Sequence, residues 1–247
     1  MDYTYLHPEV LAAKCTVENQ RLVLNNKENR EEYRVLFVPG GDTLSVAAAA
    51  KIKEFYDKGG AVIATHQLPT KSAEFGKDKE IQKMVADVFG LPVDDPPTAD
   101  LARASSGRLI TFYFYKPNAA GGQAYFLPQA EPWSLQWALN RVLPVRDVNV
   151  QQPMPLLKKG PDYDGALTYI HKVKNGQDIY FFANSTDRPV DTKVILRGKK
   201  TLTVWDAQTG DSRPAELTSG DANGQPVTTV HLTMAPVTAL FYVGDEK

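Results

Sequence analysis

A single cysteine, Cys15, among 247 residues excludes an internal disulfide, so oxidation does not staple this fold. A surplus of charge is also missing. Lys+Arg number 28 and Asp+Glu 29, and the formal net charge of -1 gives no electrostatic case for a nucleic acid or an anionic membrane as partner. The short basic clusters Lys158-Lys159 and Lys199-Lys200 read as solvated turns. No stretch approaches the ~18 apolar residues that a membrane-spanning helix needs, and the opening Met1-Asp2-Tyr3-Thr4-Tyr5-Leu6-His7-Pro8 has neither the basic nor the apolar region of a signal peptide. The four histidines, His7, His66, His171 and His231, stand far apart with no second His or Cys at ligand spacing, so no metal site is expected. Neither a G-x-G-x-x-G fingerprint nor a Walker lysine is present, and no cofactor is expected.

What is present divides into two patterns. Tyr33-Arg34-Val35-Leu36-Phe37-Val38 is a continuous apolar run closed by Pro39-Gly40-Gly41-Asp42, as expected of a parallel strand buried on both faces. A helix is predicted from Ser45, with Ala48, Ile52, Phe55 and Tyr56 at helical spacing and Gly59-Gly60 at its end, followed by the strand Ala61-Val62-Ile63-Ala64-Thr65. This is a βαβ unit. A second helix runs from Lys79 to Phe89, with Ile81, Met84, Val85, Val88 and Phe89 on one face and Gly90 as its stop. A further strand at Arg108 to Tyr115 counts as the third parallel strand, and Trp133, Trp137, Leu139 and Val142 sit on a helix ending near Pro144. The expected first domain, 1–145, is thus α/β with a parallel sheet that looks short at its beginning, so a preceding strand and helix are expected upstream of Met1. Pro144, Pro153, Pro155 and Pro161 mark 146–163 as a linker. From 164 to 247 short β-rich runs alternate with turns, among them Lys174-Asn175-Gly176 and Thr209-Gly210-Asp211, and predict a small all-β domain, an antiparallel sandwich.

An α/β sheet binds ligands outside the carboxyl ends of its strands, so the loops at Gly40, Gly41 and Asp42 and at His66 and Gln67 should be neighbours. These five residues are the candidate ligand-binding set. The plainer reading of each is a tight turn at the glycine pair and a loop histidine capped by nearby backbone. No catalytic residue is assigned. Cys15 lies outside any strand-to-helix elbow, and no pair of carboxylates stands out as flanking a sugar, since Asp206 and Asp211 bracket a turn where Asp is common for local hydrogen bonding. Tyr113, Tyr115, Tyr163, Tyr169 and Trp205 are candidates to stack on a pyranose, although strand alternation accounts for most of them as packing residues.

The strand leading into Gly40-Gly41 and a helix resembles the corresponding turn of class I glutamine amidotransferase-like domains, whose next strand ends in a cysteine nucleophile. Here that elbow carries Thr65 and His66. Together with Asp2-Tyr3-Thr4-Tyr5-Leu6, the hairpin-like Thr16 to Leu22, Phe55 to Ile63, Tyr169-Ile170-His171, Asp178 to Asn184 and Val204-Trp205-Asp206-Ala207-Gln208-Thr209-Gly210, the order of segments resembles the C-terminal part of family 106 glycoside hydrolases, the α-L-rhamnosidase-like proteins. In such enzymes the acid and base sit in a (β/α)₈ barrel, which this chain is too short to hold beside its two halves. The resemblance implies a non-catalytic accessory or assembly region, with a carbohydrate or an upstream catalytic barrel as partner, self-association, and a periplasmic or extracellular setting. Two other readings stay open: a stand-alone hydrolase of amidotransferase-like fold acting on a small substrate near Asp42 and His66, and a sugar-binding module working through the β half.

Overall fold

The computed structural model describes residues 3–25, 30–92, 99–103, 107–115, 117–151 and 167–246. They fall into two compact units, one of Tyr5–Pro144 and one from Val145 onward, to which the residues up to Thr4 also belong. The centre of the expected linker, with Pro153, Pro155 and Pro161, lies outside the described residues, as do Lys158, Lys159, Tyr163 and the side chain of Tyr115.

The first unit begins with helix α1 (Pro8–Lys14) and strands β1 (Cys15–Glu18), β2 (Arg21–Asn25) and β3 (Arg30–Tyr33), which form an antiparallel sheet in that order. Asn19 and Gln20, at φ 49° and 63°, make the two-residue turn between β1 and β2, a conformation whose twist matches that of paired strands. There follow β4 (Val35–Val38), β5 (Thr43–Leu44), α2 (Val46–Asp57), β6 (Ala61–Thr65), β7 (Lys71–Ser72), α3 (Asp78–Phe89), β8 (Asp100–Arg103), β9 (Leu109–Tyr115), β10 (Gln123–Leu127) and α4 (Pro132–Val142). Helix α2 starts and stops where its sequence says. The Ser45 hydroxyl accepts from Ala48 N–H at 3.2 Å, and Gly59 at φ 94° lets Gly60 N–H reach back to the Phe55 carbonyl at 2.8 Å. Gly90 ends α3 in the left-handed conformation in the same way.

The main sheet has the order β4-β6-β10-β9-β8. Strands β4, β6 and β10 are parallel, whereas β9 runs antiparallel to β10 and to β8. The expected strand at 108–115 therefore exists but is not the third parallel strand. That place belongs to β10, which the sequence reading did not pick out. The link from β9 to β10 closes on the Asn118–Gly122 turn, too short for the crossover that a parallel neighbour requires. Leu36, Val38, Val62, Ala64, Ala124 and Phe126 face the core shared with α2 and α3, and Val35, Ile63, Phe112, Tyr125 and Leu127 face α4 with Trp133 and Trp137.

The second unit contains β11 (Val148–Val150), β12 (Leu167–Lys174), β13 (Gln177–Asn184), β14 (Val190–Arg197), β15 (Lys200–Asp206), β16 (Ser212–Pro214), β17 (Leu217–Ala222), β18 (Gln225–Met234) and β19 (Thr238–Glu246). They build two antiparallel sheets, β11-β14-β18-β17 and β12-β13-β19-β15-β16. Asn175-Gly176 and Asn223-Gly224, all at positive φ, make the tight hairpins β12–β13 and β17–β18. Inward residues alternate along each strand: Tyr180, Phe182, Val194, Leu196, Leu202, Val230, Leu232 and Tyr242 are buried together, each contributing on the order of 1.5–3 kcal/mol of transfer free energy. The molecule is thus an α/β unit followed by an antiparallel β unit.

Candidate functional site

The parallel register Val38↔Ala64 places the loops after β4 and β6 side by side. They touch at Gly40, where an added β-carbon would lie 2.8 Å from the His66 β-carbon and 3.0 Å from the Thr65 carbonyl oxygen. Gly41 has no such neighbour; its nearest contact is the Pro39 carbonyl oxygen at 4.0 Å. His66 itself is exposed and sits at φ 61°, with Gln67 N–H bonded to the Thr65 carbonyl at 2.7 Å across it and its own N–H bonded to Leu127 O at 2.8 Å. This tight γ-type turn holds a non-glycine residue in a region L side chains avoid.

The surrounding groups are already engaged. Asp42 Oδ2 is 2.8 Å from Lys71 Nζ, its Oδ1 accepts from the Thr43 hydroxyl at 2.8 Å, and its carbonyl accepts from Thr70 and Lys71 N–H, locking β5 beside β7. The hydrogen bond from Lys71 holds the Asp42 carboxyl below its ordinary range. The N-terminus of α2, the natural anion site of a strand-loop-helix, has the Glu74 carboxylate 3.1 Å from Val46 N–H in addition to the Ser45 cap. Cys15 lies on β1, buried, where desolvation pushes its thiol up and away from the reactive thiolate. Gly40, Gly41, Asp42, His66 and Gln67 are therefore brought to one strand end, yet the charge there is balanced by the chain itself.

The β unit contains a cluster that the sequence reading passed over. His171 on β12 lies between two carboxylates, with Nδ1 2.6 Å from Asp147 Oδ2 and Nε2 2.8 Å from Asp178 Oδ1. Both ring nitrogens face acceptors, so both carry protons and the ring is an imidazolium. Lys200 Nζ meets the other oxygen of Asp178 at 2.6 Å, and Arg197 Nη2 meets the other oxygen of Asp147 at 2.9 Å. The His171 ring stacks on Tyr180 with centroids 4.1 Å apart and planes 11° from parallel. Burial alone would lower the His171 pKa, but the two carboxylates overcome it and push it up to about 9. Burial would likewise raise Asp178 and Asp147, yet His171 with Lys200 in one case and with Arg197 in the other keeps both below their usual range. Asp147 precedes β11 and Arg197 ends β14, whereas His171, Asp178 and Lys200 belong to β12, β13 and β15, so the cluster ties the two sheets together. Chemically it is a saturated clamp. One signal was legible: His171 shares the inward parity of Leu167 and Tyr169, an unusual place for a side chain of this polarity.

Of the candidate stacking residues, Tyr113 is packed in the α/β core against Phe126 and Tyr169 points inward against Phe182, whereas Trp205 is 51% exposed. Asp206 accepts from Gln208 and Thr209 N–H and serves its turn, as its position suggested. Among the described residues no group of three His, Cys, Asp or Glu is arranged to hold a metal ion.

No family model matches the chain, and no curated protein is similar to it in sequence. Solved structures are similar in shape. A rhamnosidase from Novosphingobium sp. PP1Y superposes with a TM-score of 0.64 and 17% identity over 99% of this chain and 20% of its own. A β-galactosidase from Bacillus circulans sp. alkalophilus (TM-score 0.50, 13% identity, 86% of this chain and 33% of that one) and α-L-fucosidase isoenzyme 2 from Paenibacillus thiaminolyticus (0.50, 14%, 87% and 41%) are similar as well. The chain spans a fifth of the rhamnosidase and shares with that fifth its fold.

Proposed function

We propose that the chain is a non-catalytic accessory or assembly region of a carbohydrate-active glycoside hydrolase of the α-L-rhamnosidase-like kind, family 106, and that its first unit is an amidotransferase-like module that has lost its chemistry. The observation that carries this reading is the superposition of 99% of the chain on one fifth of a rhamnosidase. It is supported by the strand end itself, where His66 stands at the elbow in place of a thiol, Asp42 is paired with Lys71 and Glu74 occupies the N-terminus of α2. In this reading the acid and base belong to an upstream barrel, the working compartment is the periplasm or the outside of the cell, and the region serves assembly. Incubated with aryl α-L-rhamnosides, the purified chain releases no aglycone; hydrolysis that persists at constant specific activity through further purification steps overturns the reading.

A second reading keeps a small-molecule site at Gly40, Gly41, Asp42, His66 and Gln67, and what favours it is the strained backbone of His66. It requires His66→Ala to abolish a ligand interaction or an activity without changing the unfolding midpoint.

A further inference from the structure

The two sheets of the β unit present unlike outer faces. On β14 and β18 the outward positions are Asp191, Lys193, Ile195, Thr229, His231 and Thr233, a solvated surface with one aliphatic residue. On the other sheet the cross-strand register lines up Ile170↔Phe181↔Phe241↔Trp205 in one continuous row over four strands, with Ser212 beside Trp205. The next row is Lys172↔Ile179↔Val243↔Thr203↔Pro214. Ile170 and Trp205 are 50% and 51% exposed, and the Phe181 and Phe241 rings between them lie 4.8 Å apart. Alternation obliges one face of an antiparallel strand to be apolar, and the core takes that face; here the second face is apolar too, which solvent does not favour.

The size and chemistry of this surface narrow what covers it. At about 4.8 Å per strand the row is about 15 Å long, and two rows make a patch on the order of 200 Å², well short of the ~800 Å² that each partner buries in a stable protein interface. A second copy of the chain is therefore a poor match, and a ligand a few rings long is a good one. Lys172, on the edge strand, is the charged side chain of the two rows, and Thr203 and Ser212 place hydroxyls next to the aromatic row. Aromatic faces carry negative potential and attract the carbon-bound hydrogens that line one face of a pyranose, and hydroxyl side chains at the margin satisfy its equatorial oxygens.

We propose that the outer face of the β12–β13–β19–β15–β16 sheet is a platform for a neutral glycan chain, with Trp205, Phe241 and Phe181 as its stacking row and Ile170 at its far end. The choice of ligand class rests on the carbohydrate reading above. Its test is separate, because absence of hydrolysis says nothing about binding and absence of binding leaves an assembly role standing.

The full chain is run in native gels containing β-1,4-galactan or hydroxyethylcellulose, with polygalacturonate as the acidic comparison, and its tryptophan emission is followed during titration with the corresponding oligosaccharides. Retardation in a neutral gel, weakened about tenfold in Trp205→Ala and less in Ile170→Thr at unchanged unfolding midpoints, is the expected result. Both residues are half-exposed, so neither variant threatens the core. Absence of retardation in both neutral gels, retardation confined to polygalacturonate, undiminished retardation of Trp205→Ala, or self-association in sedimentation that Trp205→Ala abolishes each overturns the proposal.

Discussion

His171 Nε2 and Asp178 Oδ1 lie 2.8 Å apart, and the second oxygen of the same carboxylate meets Lys200 Nζ at 2.6 Å, so one buried aspartate is shared by two cations. With Asp147 on the other ring nitrogen and Arg197 behind it, five charges from four strands and the residue before β11 join the two sheets of the sandwich.

This clamp makes the stability of the β unit depend on pH in a definite direction. The pKa of His171 is raised from 6.5 to about 9, so its contribution is whole below pH 6.5 and is lost as pH climbs through about 9. Asp147 and Asp178 are depressed from 3.8, so their contribution is present above that value and is lost as pH falls through their folded values. The unfolding free energy should therefore be highest between about pH 5 and 6.5 and decline toward pH 10, by on the order of 3 kcal/mol, as denaturant titrations read it. A flat profile over that interval, or a neutral His171 ring in nitrogen chemical shifts at pH 7.5, contradicts the assignment.

Removing the shared cation leaves the buried Asp178 with Lys200 alone and the half-buried Asp147 with Arg197 alone. His171→Ala is expected to destabilise the protein by about 3–5 kcal/mol, the range for breaking a buried ion pair from one side. Equilibrium unfolding at pH 6 reads this directly, and a loss under 1 kcal/mol means the cluster is hydrated and weak.

Thr228 is fully buried, accepts from Lys200 N–H at 2.8 Å and donates to the Gly198 carbonyl at 2.9 Å, which pins the turn between β14 and β15 to β18. Thr228→Val keeps the shape and orphans both groups, at about 1–3 kcal/mol. Amide exchange at Lys200 should rise with it; unchanged protection there rules out the turn as the point of damage.

The strand-end loops offer a paired comparison. Gly40→Ala drives a β-carbon into His66 and the Thr65 carbonyl, whereas Gly41→Ala meets nothing closer than 4.0 Å. The first should lose about 1–3 kcal/mol and the second stay within about 0.5 kcal/mol. Equal losses would show that the loops do not pack as described.

His66→Gly relieves the left-handed backbone at φ 61° and should raise the unfolding free energy by up to about 1 kcal/mol. A drop instead assigns the imidazole a stabilising contact.

Much of this protein was legible from local chemistry. The ends of α2 at Ser45 and Gly59-Gly60, the stop of α3 at Gly90, the Asn175-Gly176 hairpin and the inward alternation of β13 follow from caps, left-handed glycines and strand parity, which act within a few residues. The adjacency of the Gly40 and His66 loops followed from one βαβ rule. Tertiary structure alone decided the rest, because it depends on which strands become neighbours. The sense of β9 was set by a turn seven residues long at most rather than by its own apolar pattern, and β10 had to fill the place that β9 was expected to take. His171 looked solitary because one partner, Asp147, stands 24 residues earlier, and the other, Asp178, becomes its neighbour only through the pairing of β12 with β13. Trp205 read as one more strand aromatic until the register put it in an outward row with the half-buried Phe241 and Phe181 and the exposed Ile170. Parity along a strand says that two faces exist; only the pairing of strands says what each face becomes.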